Sequence, residues 1–218
     1  FRLTDSIMID MGADAVVQAM RYGDLAGVNH VLVTHTHDDH LNPHMLMEAM
    51  WGKNHRDTLH YYFTEKAYEI VEHWRESPWI LKGKVREYEE NGYIAFHKLR
   101  FGQRIEIEGI GFTPLKGNHT GNMQEYSAMF LIELPDGRKM FYGLDTGTYF
   151  PETLTALQQH HIDIYISENT GGSCPSFNHP VHMCLDDVKK LAEELMAQGT
   201  LDQRSVLYLT HISHRSTH

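Results

Sequence analysis

Residues 35–40 read HTHDDH, three imidazoles and two carboxylates within six positions, directly after the apolar run in NHVLV. Such groups are costly to bury without partners, so a strand that ends in them must turn out into a cleft or hold a metal. If the strand stays extended, His35 and His37 share a face. Asp39 and His40 then follow in a turn and can present a carboxylate and an imidazole from the opposite side. Three imidazoles and a carboxylate at this spacing suit one or two borderline divalent ions such as Zn²⁺. A solvated polar turn is the plain alternative, and the H-x-H-x-D-H spacing argues against it.

One segment cannot complete two coordination shells, so further ligands are expected at strand ends elsewhere. Three residues stand after apolar runs: His119 in FTPLKGNHTGN, Asp145 in MFYGLDTG and His211 in VLYLTHISH. Each alone reads as a cap or a surface residue, although ligating and catalytic groups favour loop ends.

Placing these residues takes strands and helices in alternation at both ends of the chain, around a β-rich middle. SIMID, NHVLVTH and TLHYYF read as strands. ADAVVQAMRYG, PHMLMEAMWG and TEKAYEIVEHWRES read as helices, with Gly23 closing the first, Pro43 opening the second and Thr64 capping the third. YIAFHKL, QRIEIEG, IGFTPLKG, SAMFLIEL and KMFYGLD are strands, with a turn at PDG, 135–137. Helix PETLTALQQHH, strand IDIYIS, helix CLDDVKKLAEELMAQG and strand SVLYLTH complete the order. No repeat or Pro/Gly-rich linker interrupts it. Two mixed sheets with helices outside, in a single domain over residues 1–218, follow from this pattern.

The chain has 218 residues, 41% hydrophobic and 22% charged, enough for one core of ordinary size. No stretch approaches the ~20 apolar residues of a membrane span, and no signal peptide opens the chain. It starts at Phe1 without a Met, and residues are expected to precede it. A formal charge of −10 disfavours bulk nucleic-acid binding. Cys174 and Cys184 lack C-x-x-C spacing and point to a reduced, cytoplasmic setting. With 17 histidines in the chain, position decides which ones matter. His160 and His161 read as a helix end where positive charge suits the dipole, GGSCPSFN as a loop, and Met45, Met47 and Met50 as packing. A homodimer is left open.

The order HTHDDH, His119, Asp145, His211 resembles the metallo-β-lactamase-fold hydrolases, over nearly the whole chain. The resemblance implies an α/β (α+β) fold, a four-layer αββα sandwich with the site along one edge of its sheets. It implies two divalent ions, Zn²⁺ first and Mn²⁺ or Fe next. His35, His37 and His119 would hold one, Asp39, His40 and His211 the other, and Asp145 would bridge them. Should His119 stand apart, His97 is the replacement.

Within that family, FNHPVHMCLDDVKKLAEEL followed by VLYLTHISH is similar to the phosphodiesterase branch. That branch holds the cyclic phosphodiesterase of phosphonate degradation and the endonuclease that trims tRNA precursors. Both place a phosphate-serving His ahead of a helix, and the match falls on His182, with His179 as its rival. A His beside a helix N-terminus can face an anion. The family's N-terminal hairpin, the Cys-rich segment of some phosphonate-pathway relatives and the basic RNA-gripping loop have no counterpart here. The chain also stops seven residues after His211, where relatives continue.

The reaction implied is hydrolysis of a small or cyclic phosphodiester. Two cations sharing Asp145 and a water would give hydroxide near neutral pH and neutralise the phosphate oxygens. Asp39 would orient the nucleophile, and His182 would stabilise the developing charge or protonate the leaving alkoxide. A carboxylic ester, lactone or thioester hydrolase of the same fold is the alternative. A diiron redox protein of this fold would carry Glu at the position of His37 and a flavin domain, and neither is present. A structural zinc site would be closed by Cys and His, without a bridging carboxylate.

Overall fold

The computed structural model describes residues 1–23, 25–45, 49, 57–174 and 177–213. The chain forms two compact units, Phe1–Arg100 with Gly121–Glu125, and Phe101–Thr120 with Tyr126–His218. The described strands form one sheet of four and one of six, flanked by helices.

In the first unit β1 (Ile7–Ile9), β2 (His30–Leu32), β3 (Leu59–Thr64) and β4 (Ile94–Leu99) lie in that order, all parallel. Helices α1 (Ala15–Tyr22), α2 (Glu65–Glu72) and α3 (Val85–Glu90) cover one face. There Val31, Tyr61 and Phe63 pack with Ala15, Ala67, Val71 and Val85 in one buried cluster. Thr64 ends β3 and caps α2, its Oγ1 accepting the Ala67 N–H at 3.3 Å, as its position in the sequence predicts.

The strand predicted over residues 29–35 stops at Leu32. Val33 N–H still reaches Tyr62 O at 3.0 Å, but Thr34 N–H turns to Asp10 Oδ1 at 2.8 Å. A carboxylate has taken the place of the neighbouring strand, and the ladder ends there. Helix α3 was not foreseen, since six residues are too few for a clear period. Most of the helix predicted over 43–52 lies outside the described residues, as do Met47, Met50, His214 and His218; Met45 and Ala49 are buried.

The second unit holds β5 (Ile105–Ile107), β6 (Ile110–Thr120), β7 (Tyr126–Glu133), β8 (Lys139–Gly143), β9 (Ile164–Glu168) and β10 (Val206–Thr210), in the order β10-β9-β8-β7-β6-β5. Strands β5 to β8 pair antiparallel, whereas β8, β9 and β10 are parallel. Leu115, Met129, Phe141 and Tyr165 pack with Leu157 of α4 (Pro151–Leu157) and with Val188, Leu191 and Leu195 of α5 (Leu185–Ala197). Strand β6 continues past its predicted end at Gly117, with a register shift between Lys116 and Thr120, so His119 lies within the strand and not after it. Among the described residues no helix is long and apolar enough to cross a membrane.

In the first unit residues 11–13 run beside 38–42. Met11 N–H reaches His40 O at 2.8 Å, Ala13 N–H reaches Asp38 O at 3.3 Å, and Asn42 N–H reaches Met11 O at 3.1 Å. Gly12 sits between them so closely that a Cβ would lie 1.8 Å from Asp39 O. Gly12→Ala is therefore expected to destabilise the protein by about 1–3 kcal/mol, the usual cost of forcing atoms into a filled space. Calorimetry would register this as a lower melting midpoint, and an unchanged midpoint would mean that the 38–42 segment can move aside at little cost.

Candidate metal centre

Parallel strands bring their carboxyl ends to one edge, where sheets of this kind bind ligands. In the first unit that edge carries Asp10 after β1 and residues 33–40 after β2. The loop folds back on itself, with His40 N–H and Leu41 N–H both on His37 O, at 2.9 and 2.8 Å. This turn, and not an extended strand, brings the predicted residues together. His35 Nε2 lies 2.9 Å from His37 Nδ1, the His35 and His40 rings are 4.3 Å apart, and Asp39 Oδ2 stands 3.5 Å from His40 Nε2. His35 and His40 are buried, His37 is half-buried and Asp39 is exposed.

In the second unit β8, β9 and β10 deliver Asp145, Glu168 and His211 to the same kind of edge. Strand β6 is antiparallel to β7, as is β8, so β6 points the same way as β8 and brings His119 to that edge too. His182 arrives from the segment before α5. Ligand atoms of Asp145, Glu168, His182 and His211 lie within 4.8 Å of one another. Asp145 Oδ1 is 3.3 Å from His211 Nε2 and 3.5 Å from His182 Nδ1, and the His119 ring is centred 4.9 Å from that of His182. Asn118 ties these segments: its backbone N–H donates to Thr146 Oγ1 at 2.9 Å, and its side-chain Nδ2 donates to Pro180 O at 3.4 Å.

Two carboxylates in these clusters had not been singled out. Asp10 is buried and accepts from Thr34 N–H at 2.8 Å and from the Thr34 hydroxyl, while its Oδ2 stands 2.7 Å from His40 Nδ1. Glu168 is buried as well, accepting from Met183 N–H and from the Thr170 hydroxyl at 3.1 Å, with Oε2 2.9 Å from His182 Nδ1. Both are the first acidic residue after an apolar run, in SIMID and in IDIYISE, the signal that had picked out Asp145. A carboxylate on one ring nitrogen fixes the tautomer and orientation of an imidazole and directs the other nitrogen outward.

The edges are also where the backbone is strained. Asp10 (φ 63°), Asp145 (φ 45°) and His211 (φ 58°) take left-handed conformations that residues with a Cβ seldom adopt, a pattern common where side chains must be aimed. Other histidines do other work. His97 lies in a row with His60 (Nε2 to Nδ1, 2.9 Å) and the ring of Tyr62 on the parallel sheet. His179 is exposed, its ring 5.0 Å from that of His182. His160 lies past the end of α4 at Leu157, and burial and the Lys139 ammonium, 2.8 Å from its Nδ1, hold its pKa below the ordinary value.

A tetrahedral ion with bonds of about 2.0–2.1 Å spaces its ligand atoms roughly 3.3 Å apart. The His211–Asp145 and His40–Asp39 separations, 3.3 and 3.5 Å, are of that size. Imidazole nitrogen with carboxylate oxygen is also the donor set that borderline divalent ions take. Fold and donor clusters together define a metallo-β-lactamase-fold hydrolase with candidate metal-binding groups of His and Asp. The profile of the β-lactamase superfamily domain matches residues 5–212, and the chain belongs to that family.

No curated protein sequence matches the chain. Among solved structures it is similar to a diphosphatase from the PhnP family, at 21% identity and a TM-score of 0.69, over 95% of this chain and 68% of the other. It is similar to human tRNase Z, short form, at 15% identity and a TM-score of 0.68, over 99% of this chain and 85% of that one. Yeast PDE1 aligns at 10% identity with a TM-score of 0.68, over 93% and 66% of the two chains.

Glu168 has no exposure to water and three partners that would lose their acceptor with it. Glu168→Ala is expected to cost about 3–5 kcal/mol in denaturant unfolding, the range for removing one member of a buried ionic group. A loss under about 1 kcal/mol would mean that water replaces the carboxylate at Met183 N–H and His182 Nδ1.

Proposed function

We propose that this chain is a dinuclear metal-dependent hydrolase whose two units act as one catalytic domain, and that it cleaves a small or cyclic phosphodiester. His35, His37 and His119 would hold one ion, Asp39, His40 and His211 the second, with Asp145 shared between them. Zn²⁺ is the proposed metal. Divalent ions held there would supply a water of lowered pKa and positive charge toward the phosphate oxygens.

The observation that carries the phosphodiesterase reading is the grip on His182. Its Nδ1 is held by Glu168 at 2.9 Å while Asp145 stands 3.5 Å away, so the ring is locked beside proposed metal ligands without being needed as one. Nε2 is then the nitrogen that meets substrate, holding the proton that passes to the departing alkoxide. Asp39, exposed at the edge of its cluster, orients the attacking water. The names of the diphosphatase, tRNase Z and PDE1 support phosphate chemistry, and the formal charge of −10 weighs against a polynucleotide substrate. Cys174 and Cys184, without C-x-x-C spacing, agree with a reducing, cytoplasmic setting.

Metal analysis is expected to approach about two divalent ions per chain, the stoichiometry of a shared-carboxylate site. One ion at full loading, with Asp145→Ala still active, would overturn the shared carboxylate. His182→Ala is expected to keep both metals and lose on the order of 10²–10⁴ in turnover on an alkyl phosphodiester, the range for a general acid. The loss should shrink for a p-nitrophenyl ester, whose leaving group needs little protonation. If metal is lost instead, His182 is a ligand. If no phosphodiester is affected while carboxylic esters or thioesters are turned over, the ester-hydrolase alternative takes its place.

A further inference from the structure

The segment Gly121–Glu125 leaves the strands it connects and belongs with the first unit, where it meets the HTHDDH loop. Glu125 is fully buried, and its Oε1 accepts the backbone N–H of Thr36. Asn122 Nδ2 donates to the carbonyl of the same residue at 2.7 Å and stands 3.3 Å from its hydroxyl. Both polar groups of the Thr36 main chain are thus taken by one short segment, and Thr36 is the residue between His35 and His37.

The segment is shaped for this contact. Gly121 N–H bonds to Glu125 O at 2.9 Å and Glu125 N–H to Asn122 O at 3.1 Å, closing a tight loop. Met123 (φ 52°) and Gln124 (φ 60°) take left-handed backbone to make the turn. A side chain at position 121 would put its Cβ 2.2 Å from Glu125 Oε1, so glycine is required for the carboxylate to reach its place. Glu125 Oε2 has no hydrogen-bond partner among the described residues, and burial pushes the carboxyl pKa up to about 7. A carboxyl group kept in so poor a setting, with one oxygen on a loop amide, is an anchor and not a surface residue that happens to be covered.

We infer that Glu125 and Asn122 form a two-point clamp on Thr36 that fixes the spacing of His35 and His37, making Glu125 a positioning residue for the proposed metal site. Two imidazoles on either side of one residue can converge only for a narrow range of that residue's backbone angles. The clamp holds those angles from the N–H and C=O sides together. It acts on the main chain and not on the rings. The inference rests on the reading of His35 and His37 as ligands. It adds that their convergence is imposed by a segment 86 to 89 residues away in sequence.

The test compares Glu125→Gln, Glu125→Ala and Asn122→Ala in the full chain. Zn²⁺ affinity is read by competition with a chromophoric chelator, and exchange of the Thr36 amide proton is followed by NMR. Glutamine keeps the accepting oxygen and the volume, so it should match the wild type in both. Glu125→Ala should speed Thr36 exchange and weaken Zn²⁺ binding by about 10–100-fold, the range for removing groups that orient metal ligands. Asn122→Ala should act in the same direction, and it carries the test should Glu125→Ala fail to fold. Faster Thr36 exchange with unchanged Zn²⁺ affinity would overturn the inference, since the clamp would then exist without positioning the ligands. A Gln variant as weak as the Ala variant would also overturn it, because charge and not geometry would be acting. A wild type that binds no divalent ion sinks the ligand reading itself, an outcome distinct from either.

Discussion

Each unit contains a buried carboxylate, and the geometry of the histidine cluster beside it depends on keeping it satisfied. Asp10 and Glu168 solve the problem in the same way. Each accepts from one backbone N–H (Thr34 or Met183), from one threonine hydroxyl (Thr34 or Thr170), and sits against one imidazole Nδ1 (His40 or His182). A buried carboxylate costs several kcal/mol unless its oxygens are filled with donors in good geometry. The cost runs both ways. Once the carboxylate is buried, the loop that supplies its donors has little freedom to leave, so the histidine on that loop is held as firmly as the core.

That arrangement explains why the site lies at strand ends. A parallel strand runs out of ladder partners at its carboxyl end, and its last amides need other acceptors. At β2 the acceptor is Asp10, which both ends the strand and turns the chain toward His35. At β8 the carbonyl of Asp145 accepts from Ser127 Oγ at 2.9 Å, and Ser127 can approach because Gly117 has no Cβ to meet it, one there lying 2.3 Å from that oxygen. Left-handed backbone at Asp10, Asp145 and His211 costs of order 1–3 kcal/mol each, and the hydrogen bonds on the neighbouring carboxylates are what offset it.

Most strands and helices could be read from the chain because the apolar runs are short, Val- and Ile-rich and bounded by Gly, Pro or capping residues. The predicted Thr64 cap is present for that reason. The ligand candidates were legible through density and position: HTHDDH packs donors too tightly for a plain turn, and Asp145 and His211 stand where apolar runs stop. Asp10 and Glu168 carry the same mark, but a lone acidic residue after a strand is also what a cap or turn looks like. Nothing local distinguishes the cases, since the histidines they hold are 30 and 14 residues away. The end of β2 was misplaced for the same reason: the strand is cut by a carboxylate from β1, not by any residue of its own. The loop 121–125 reads as an ordinary turn until Thr36 is set against it.

How identical side chains come to do different work follows from what each nitrogen meets and from access to water. His40 and His182 are held alike, by a carboxylate on Nδ1, so residue type and the grip on Nδ1 do not separate the proposed ligand from the proposed acid. Exposure does. His40 is 4% exposed, closed off from solvent. The His182 side chain is 18% exposed and borders a cleft of about 360 Å³ with His179, Phe177 and Lys190. A group that gives up a proton each turnover must recover one from solvent, and of these two rings His182 has that access, which supports the acid role proposed for it. The same grip thus holds one imidazole in a closed setting and another beside an open cleft.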